Sequence, residues 1–162
     1  MLHNPGSVFY VRQQQPAGLG HAVWCARHLV GSEPVAVLLA DDLILGASCV
    51  KEMVDAHKGG NMVAVMDVPH EQTGSYGIVT PGADDGRIVQ VEGLVEKPDP
   101  SSAPSNIAVV GRYIITPEVF ETLAEQERGA GGEIQLTDAL AKQIGKAPFS
   151  GVRFSGERFD LS

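Results

Sequence analysis

The chain has 162 residues, ample for one domain and short for two, and with 43% hydrophobic and 20% charged residues it is neither disordered nor fibrous. A net charge of −8 excludes a general nucleic-acid binder, because a phosphate backbone needs a basic face. It leaves room for small phosphorylated ligands, which one metal ion and one or two local cations can hold.

In chain order, residues 8–11 (Val-Phe-Tyr-Val) form a short β-rich run. Gly18-Leu19-Gly20 then opens a segment whose apolar positions, Leu19, Ala22, Val23, Ala26, Leu29 and Val30, share one helix face. Gly31 and Pro34 break it. Residues 35–40 follow as a continuous apolar run, the mark of a strand covered on both faces in a parallel sheet. A second helix is predicted from about Ala47 to His57, closed by Gly59-Gly60, and residues 62–66 form a second continuous apolar strand. This opening reads strand–helix–strand–helix–strand.

The middle of the chain carries short, turn-separated β runs at 76–79, 88–91 and 95–97. Residues 98–104 form a loop rich in proline and serine. A long strand is predicted over 106–115. Thr116-Pro117-Glu118 is a helix start with a hydroxyl cap, a proline at the first helical position and then an acid. A last helix spans about Ile134 to Ile144, with Gly145 as its stop, and a final β run at 152–154 precedes Asp160.

The predicted fold is therefore α/β: a doubly wound, mostly parallel mixed sheet with flanking helices, Rossmann-like, in one domain over 1–162. No apolar stretch approaches the roughly 20 residues that cross a bilayer. Residues 1–6 have neither the basic end nor the apolar core of a secretory signal. Cys25 and Cys49 sit in apolar helical patterns without Cys-x-x-Cys spacing, so both are expected as small core residues in a reducing cytoplasm.

Asp41 and Asp42 follow directly on the apolar run ending at Ala40, and ligands of open α/β sheets bind at the carboxyl ends of strands. A carboxylate there suits Mg²⁺, which takes one or two protein carboxylates and fills its other positions with water and phosphate oxygens. An Asp after a strand is common, and placement alone favours a helix cap or a loop acid.

Six segments, in order, resemble the uridylyltransferases of the sugar nucleotidyltransferase superfamily. Gln13 with residues 18–22 (Gly-Leu-Gly-His-Ala) is similar to their uracil-binding loop, and Leu39-Ala40-Asp41-Asp42 to their metal-binding strand end. Residues 75–79 (Ser-Tyr-Gly-Ile-Val), 95–98 (Val-Glu-Lys-Pro), 105–113 (Ser-Asn-Ile-Ala-Val-Val-Gly-Arg-Tyr) and 132–138 (Gly-Glu-Ile-Gln-Leu-Thr-Asp) complete the series. The resemblance implies joining of UTP and glucose 1-phosphate into UDP-glucose and pyrophosphate, with Mg²⁺ as cofactor, in a cytoplasmic homo-oligomer. Relatives that use dTTP or ATP are the enzymatic alternatives, and a non-catalytic UDP-glucose-binding or interaction module is the alternative from another class.

Each matched residue carries an implied role. Gln13 would read the uracil edge, since its amide both donates and accepts, and Gly18 would let the backbone approach the base. Asp41 is the implied metal ligand and, with Lys97, the implied catalytic pair. Gly77 would offer its amide to the sugar, Glu96 would accept from glucose hydroxyls, and Lys97 would neutralise the sugar-linked phosphate. Taken without the resemblance, Glu96-Lys97 reads as a surface charge pair. Glu133 and Asp138 suit either the sugar side or the charged start of the last helix. Asp160, in Arg158-Phe159-Asp160, is the implied second metal ligand, although the family continues with a small residue and a glycine where this sequence has Leu161-Ser162. The family's Gly-rich, arginine-bearing triphosphate loop is not found in this sequence. The fold is therefore expected to be incomplete at both ends and the chain alone inactive.

Overall fold

The computed structural model describes residues 6–125 and 132–161; residues 1–5 of the stretch weighed as a leader lie outside it. Eight strands are assigned, in chain order β1 (Val35–Leu38), β2 (Asp42–Leu45), β3 (Asn61–Asp67), β4 (Gly77–Asp84), β5 (Ile88–Glu96), β6 (Ile107–Ile115), β7 (Phe149–Arg153) and β8 (Glu157–Asp160). Four α-helices accompany them: α1 (Leu19–Cys25), α2 (Cys49–Ala56), α3 (Pro117–Glu125) and α4 (Leu136–Ala141). Six strands form one sheet in the order β1-β6-β3-β7-β5-β4, while β2 and β8 pair as a separate two-stranded ribbon.

The sheet is covered on both faces, as a doubly wound pattern requires. In β3 successive side chains alternate sides. Val63 and Val65 pack with Val23 of α1, Leu123 of α3 and Leu140 of α4 on one face. Met62 and Ala64 pack with Cys49 and Met53 of α2 on the other. The continuous apolar run predicted over 62–66 is thus a central strand buried on both sides, as expected. Ser48 caps α2 by accepting from the Lys51 N–H.

Three expectations are corrected. The sheet is mixed, but among the described strands β3–β7 is the single parallel pairing, and β1–β6, β3–β6, β4–β5, β4–β6 and β5–β7 are antiparallel. The physical reason is β6, a nine-residue strand that runs against each of its neighbours β1, β3 and β4. The run at 35–40 is an edge strand whose residues alternate between half-buried and exposed, so its unbroken apolarity does not signal two covered faces here. The run at 8–11 forms no strand: Phe9 is 67% and Tyr10 94% exposed, and no described strand pairs with it. β propensity without a partner does not hold an extended segment.

Among the described residues no helix is long and apolar enough to cross a membrane. Of the two free cysteines, Cys49 is buried and Cys25 half-buried. Burial pushes the Cys49 thiol up from 9.0 to about 11, against the lowering charge of Arg112 and with a smaller raising contribution from Glu52. A raised thiol pKa favours the folded state fully below pH 9, and that contribution is lost as pH rises toward about 11. Cys49 should therefore stay unlabelled by a thiol reagent at pH 8 until the chain unfolds, and Cys49→Ala should flatten the alkaline loss of stability that begins near pH 9. Rapid labelling of Cys49 in the native chain would show that α2 does not pack on the sheet as described.

Candidate functional site

A cleft of about 240 Å³ opens where the end of β1, the β2–β8 ribbon, the end of β5 and the start of α4 converge. Four carboxylates line it, from Asp41, Asp42, Glu96 and Asp160, together with two cations, Lys97 and Arg158. A larger, open depression of about 790 Å³ lies between α3 and the end of α4 and carries none of the predicted site residues. The smaller cleft is where the chemistry gathers.

A break in β6 organises one wall. Val63 pairs with Tyr113 and Ala64 with Val110, so Gly111 and Arg112 bulge out of the β3 ladder. Bulges of this kind re-aim groups beside functional sites. The Gly111 N–H donates to Asp42 Oδ2 at 2.7 Å. Arg112 Nη1 donates to the carbonyls of Leu39 and Gly111, both at 2.9 Å, and its Nη2 donates to the Asp42 carbonyl. The turn that presents Asp41 is thereby clasped by one guanidinium.

Asp42 is 6% exposed, and its second partner is Arg158 Nε. From β8, Arg158 also reaches Tyr76 Oη at 3.3 Å and Asp160 Oδ2 at 3.1 Å, with its guanidinium carbon 5.4 Å from the Tyr76 ring centroid. In the ribbon Asp42 stands directly opposite Asp160, and the Leu161 N–H donates to the Asp41 carbonyl at 2.9 Å. Asp41 and Asp160 are therefore brought to one cleft although their places in the sequence are far apart.

The residues expected on the sugar side converge from the other wall. Glu96 ends β5 and accepts from Thr137 Oγ1 at 2.7 Å, which fixes its carboxylate toward α4. Gly77 lies beside that pair: a Cβ there would stand 3.1 Å from Thr137 Cγ2 and 3.3 Å from Glu96 Oε2. Lys97 is the one non-glycine residue with positive φ among the described residues, at 44°, and its N–H donates to the Tyr76 carbonyl at 3.0 Å. A left-handed backbone costs a side-chain-bearing residue about 1–2 kcal/mol, and such positions cluster at functional sites. Tyr113 is buried, and burial, reinforced by the charges of Glu96, Asp42 and Asp41, pushes its phenol above the ordinary tyrosine range. It stays a protonated hydroxyl in an acid-rich cleft.

Four of the candidates, Gln13, Gly18, Glu133 and Asp138, lie outside the cleft lining, and Asp138 sits in the first turn of α4. Gln13 Nε2 donates to the Gly18 carbonyl at 3.1 Å and meets His21 Nδ1 at 2.9 Å, so its amide is held against the start of α1. Gly18 has a φ of 97°, and a Cβ there would come 2.7 Å from Glu133 Cβ and 2.8 Å from the Ile134 carbonyl. A close approach within the chain itself thus requires this glycine. Glu133 is exposed, while its neighbours Gln135 and Thr137 line the cleft. Sequence reasoning passed over Arg112, Arg158, Tyr76, Tyr113 and Thr137. Two signals were available: a guanidinium inside a nine-residue apolar strand, and the i, i+2 spacing of Arg158 and Asp160, which places both on one face of a strand.

Asp41 and Asp160 are the cleft carboxylates that could hold a divalent cation. Among the described residues no group of three or more His, Cys, Asp or Glu could hold a metal. Mg²⁺, however, takes one or two carboxylates and leaves its other positions to water and phosphate oxygens, and Asp41 and Asp160 offer that pattern. Gly111 tests the wall directly, because a Cβ there would collide with Asp42 Oδ2 and stand 2.8 Å from Leu39 Cβ. Gly111→Ala should lower stability by about 2 kcal/mol in denaturant titration; no loss would mean that Asp42 is not seated against β6.

With the geometry in place, comparison with known proteins gives a consistent result. A UTP–glucose-1-phosphate uridylyltransferase of Komagataeibacter xylinus is 53% identical over 159 residues, which is 96% of this chain and 56% of the relative. One from Bacillus subtilis (strain 168) is 45% identical over 161 residues, 98% of this chain and 55% of the relative. The crystal structure of a UDP-glucose pyrophosphorylase complexed with UDP-glucose superposes with a TM-score of 0.90 at 40% identity, covering 94% of this chain and 60% of that one. A UTP-bound UGPase from Acinetobacter baumannii gives 0.78 at 35% identity, covering 93% and 54%. The chain spans a little over half the length of the curated relatives it matches. Residues 4–155, nearly the whole sequence, match the nucleotidyl transferase family, and the chain belongs to that family.

Proposed function

We infer that this chain carries the sugar-nucleotide pocket of a UTP–glucose-1-phosphate uridylyltransferase and binds UDP-glucose with Mg²⁺. The observation that carries the reading is the convergence of Asp41, Gly77, Glu96, Lys97 and Asp160 on one cleft. In the reaction so assigned, a phosphate oxygen of glucose 1-phosphate bonds to the α-phosphorus of UTP, and the bond to the departing pyrophosphate breaks in line. Mg²⁺, when bound, supplies charge neutralisation at the phosphate oxygens.

The chain's own residues bind and orient. Glu96, already held by Thr137, accepts from glucose hydroxyls, and the buried Gly77 brings backbone close to the sugar. Lys97 sets a cation beside the sugar-linked phosphate, while Gln13 and Gly18 serve the uracil side at the start of α1. Glu133 serves the sugar side through the stretch that also carries Gln135 and Thr137. The acid excess of the cleft supports the metal, because four carboxylates would repel a diphosphate that arrived without a cation. A cytoplasmic setting and self-association belong to the same reading, the latter supported by the edge strand β1 with Leu38 half exposed.

Calorimetry tests the reading. UDP-glucose should bind more tightly with Mg²⁺ than in chelator, and Asp41→Asn should erase the difference; equal affinity in both conditions would remove Asp41 from the metal role. Lys97→Ala should weaken UDP-glucose on the order of tenfold or more while leaving uridine nearly unchanged, since Lys97 meets phosphate and not base. Equal losses for the two ligands would place Lys97 outside the phosphate site.

A further inference from the structure

The Arg158 side chain bridges the two strands of the ribbon and reaches Tyr76 across the cleft. Its Nε is bound to the buried Asp42, its Nη1 to Tyr76 and its Nη2 to Asp160, and its side chain is 12% exposed against 44% for Asp160. Asp42 and Asp160 are direct cross-strand partners, and like charges placed opposite each other repel. The ribbon would therefore open at the cleft unless a cation lay between them. Arg158, two residues before Asp160, lies on the same face of β8 and supplies that cation. Its planar fork reaches separate oxygens at fixed angles, which an ammonium on a flexible stem does not reproduce.

We propose that Arg158 is a positioning residue for the divalent cation, holding the half-exposed Asp160 carboxylate in place from the buried Asp42 and the Tyr76 ring. This deepens the function read above and rests on Asp41 and Asp160 being its metal ligands. Arg158 acts through Asp160: it ties a mobile-length carboxylate to a rigid anchor, much as outer partners of metal ligands commonly do. A guanidinium bound to a metal carboxylate could instead act as a competitor for it, and the two roles predict opposite outcomes.

The experiment follows free Mn²⁺ by its electron paramagnetic resonance signal as the ion is titrated into the chain with UDP-glucose in excess. Asp41→Asn sets the baseline for Mn²⁺ held by the nucleotide sugar alone. Arg158→Gln and Arg158→Lys should each weaken Mn²⁺ binding by about tenfold or more, with Lys failing to rescue, while the amide resonances of β3 and β6 keep the positions they have in the unsubstituted chain. Should Arg158→Gln not fold, Tyr76→Phe, which removes one acceptor of the guanidinium and leaves the Arg158–Asp42 pair, should weaken Mn²⁺ in the same direction. Mn²⁺ binding equal to or tighter than that of the unsubstituted chain, in whichever of these variants folds, would overturn the positioning role. If the unsubstituted chain holds no more Mn²⁺ than Asp41→Asn, the metal reading itself fails and this inference falls with it.

Discussion

A single buried carboxylate organises this molecule. Asp42 is almost fully enclosed, and a charge so placed must be both paired and hydrogen-bonded. It is satisfied by the Gly111 N–H on one oxygen and Arg158 on the other. Those two bonds join β2 to β6 of the main sheet and to β8 near the far end of the chain. Removing one partner of such a buried pair typically costs about 3–5 kcal/mol, whereas replacing the whole pair with apolar residues is often neutral. The pair therefore matters for where it puts things more than for net stability: it sets the Asp41 turn and the Asp160 strand against each other.

A bulge in β6 lies beside this arrangement. Gly111 and Arg112 step out of register with β3; Gly111 faces the β1 side, where its carbonyl accepts from Leu39 and its N–H reaches Asp42, and Arg112 crosses the carbonyls of the 39–42 turn. The glycine is required because Asp42 and Leu39 occupy the space a Cβ would need. On the opposite wall Lys97 is held in a left-handed backbone and Glu96 is oriented by Thr137. Both walls thus present charged groups whose positions are set by partners of their own. A cleft with four carboxylates and two cations suits a ligand that is anionic and accompanied by a divalent ion.

Much of this was legible in the residue order. Apolar spacing located α1, α2 and α4, and the Thr116-Pro117-Glu118 start located α3, because a helix face and a helix cap are both local properties of the sequence. The strand over 62–66 was read as buried on both faces and is so, since its apolar run fills two clusters at once. Short motifs marked Asp41, Gly77, Glu96, Lys97 and Asp160, residue types whose chemistry is local to each. The apolar run at 35–40 misled, because local composition shows how apolar a strand is and not what lies beside it. The run at 8–11 misled for the same reason.

What the sequence determined by itself, then, was the α/β class, most of the elements and the chemical character of the site. Only the tertiary structure decided that the sheet runs mainly antiparallel, that β2 pairs with β8, and that Arg112 and Arg158 brace the acids. It also decided that Gln13 is held against α1 and that Gly18 is required by Glu133 and Ile134. Apart from the Gln13 contact, these join residues distant in sequence, 116 positions apart for Asp42 and Arg158. Strand pairing and side-chain pairing at such separations are set by which surfaces meet once the chain has closed on itself, and no local period encodes that.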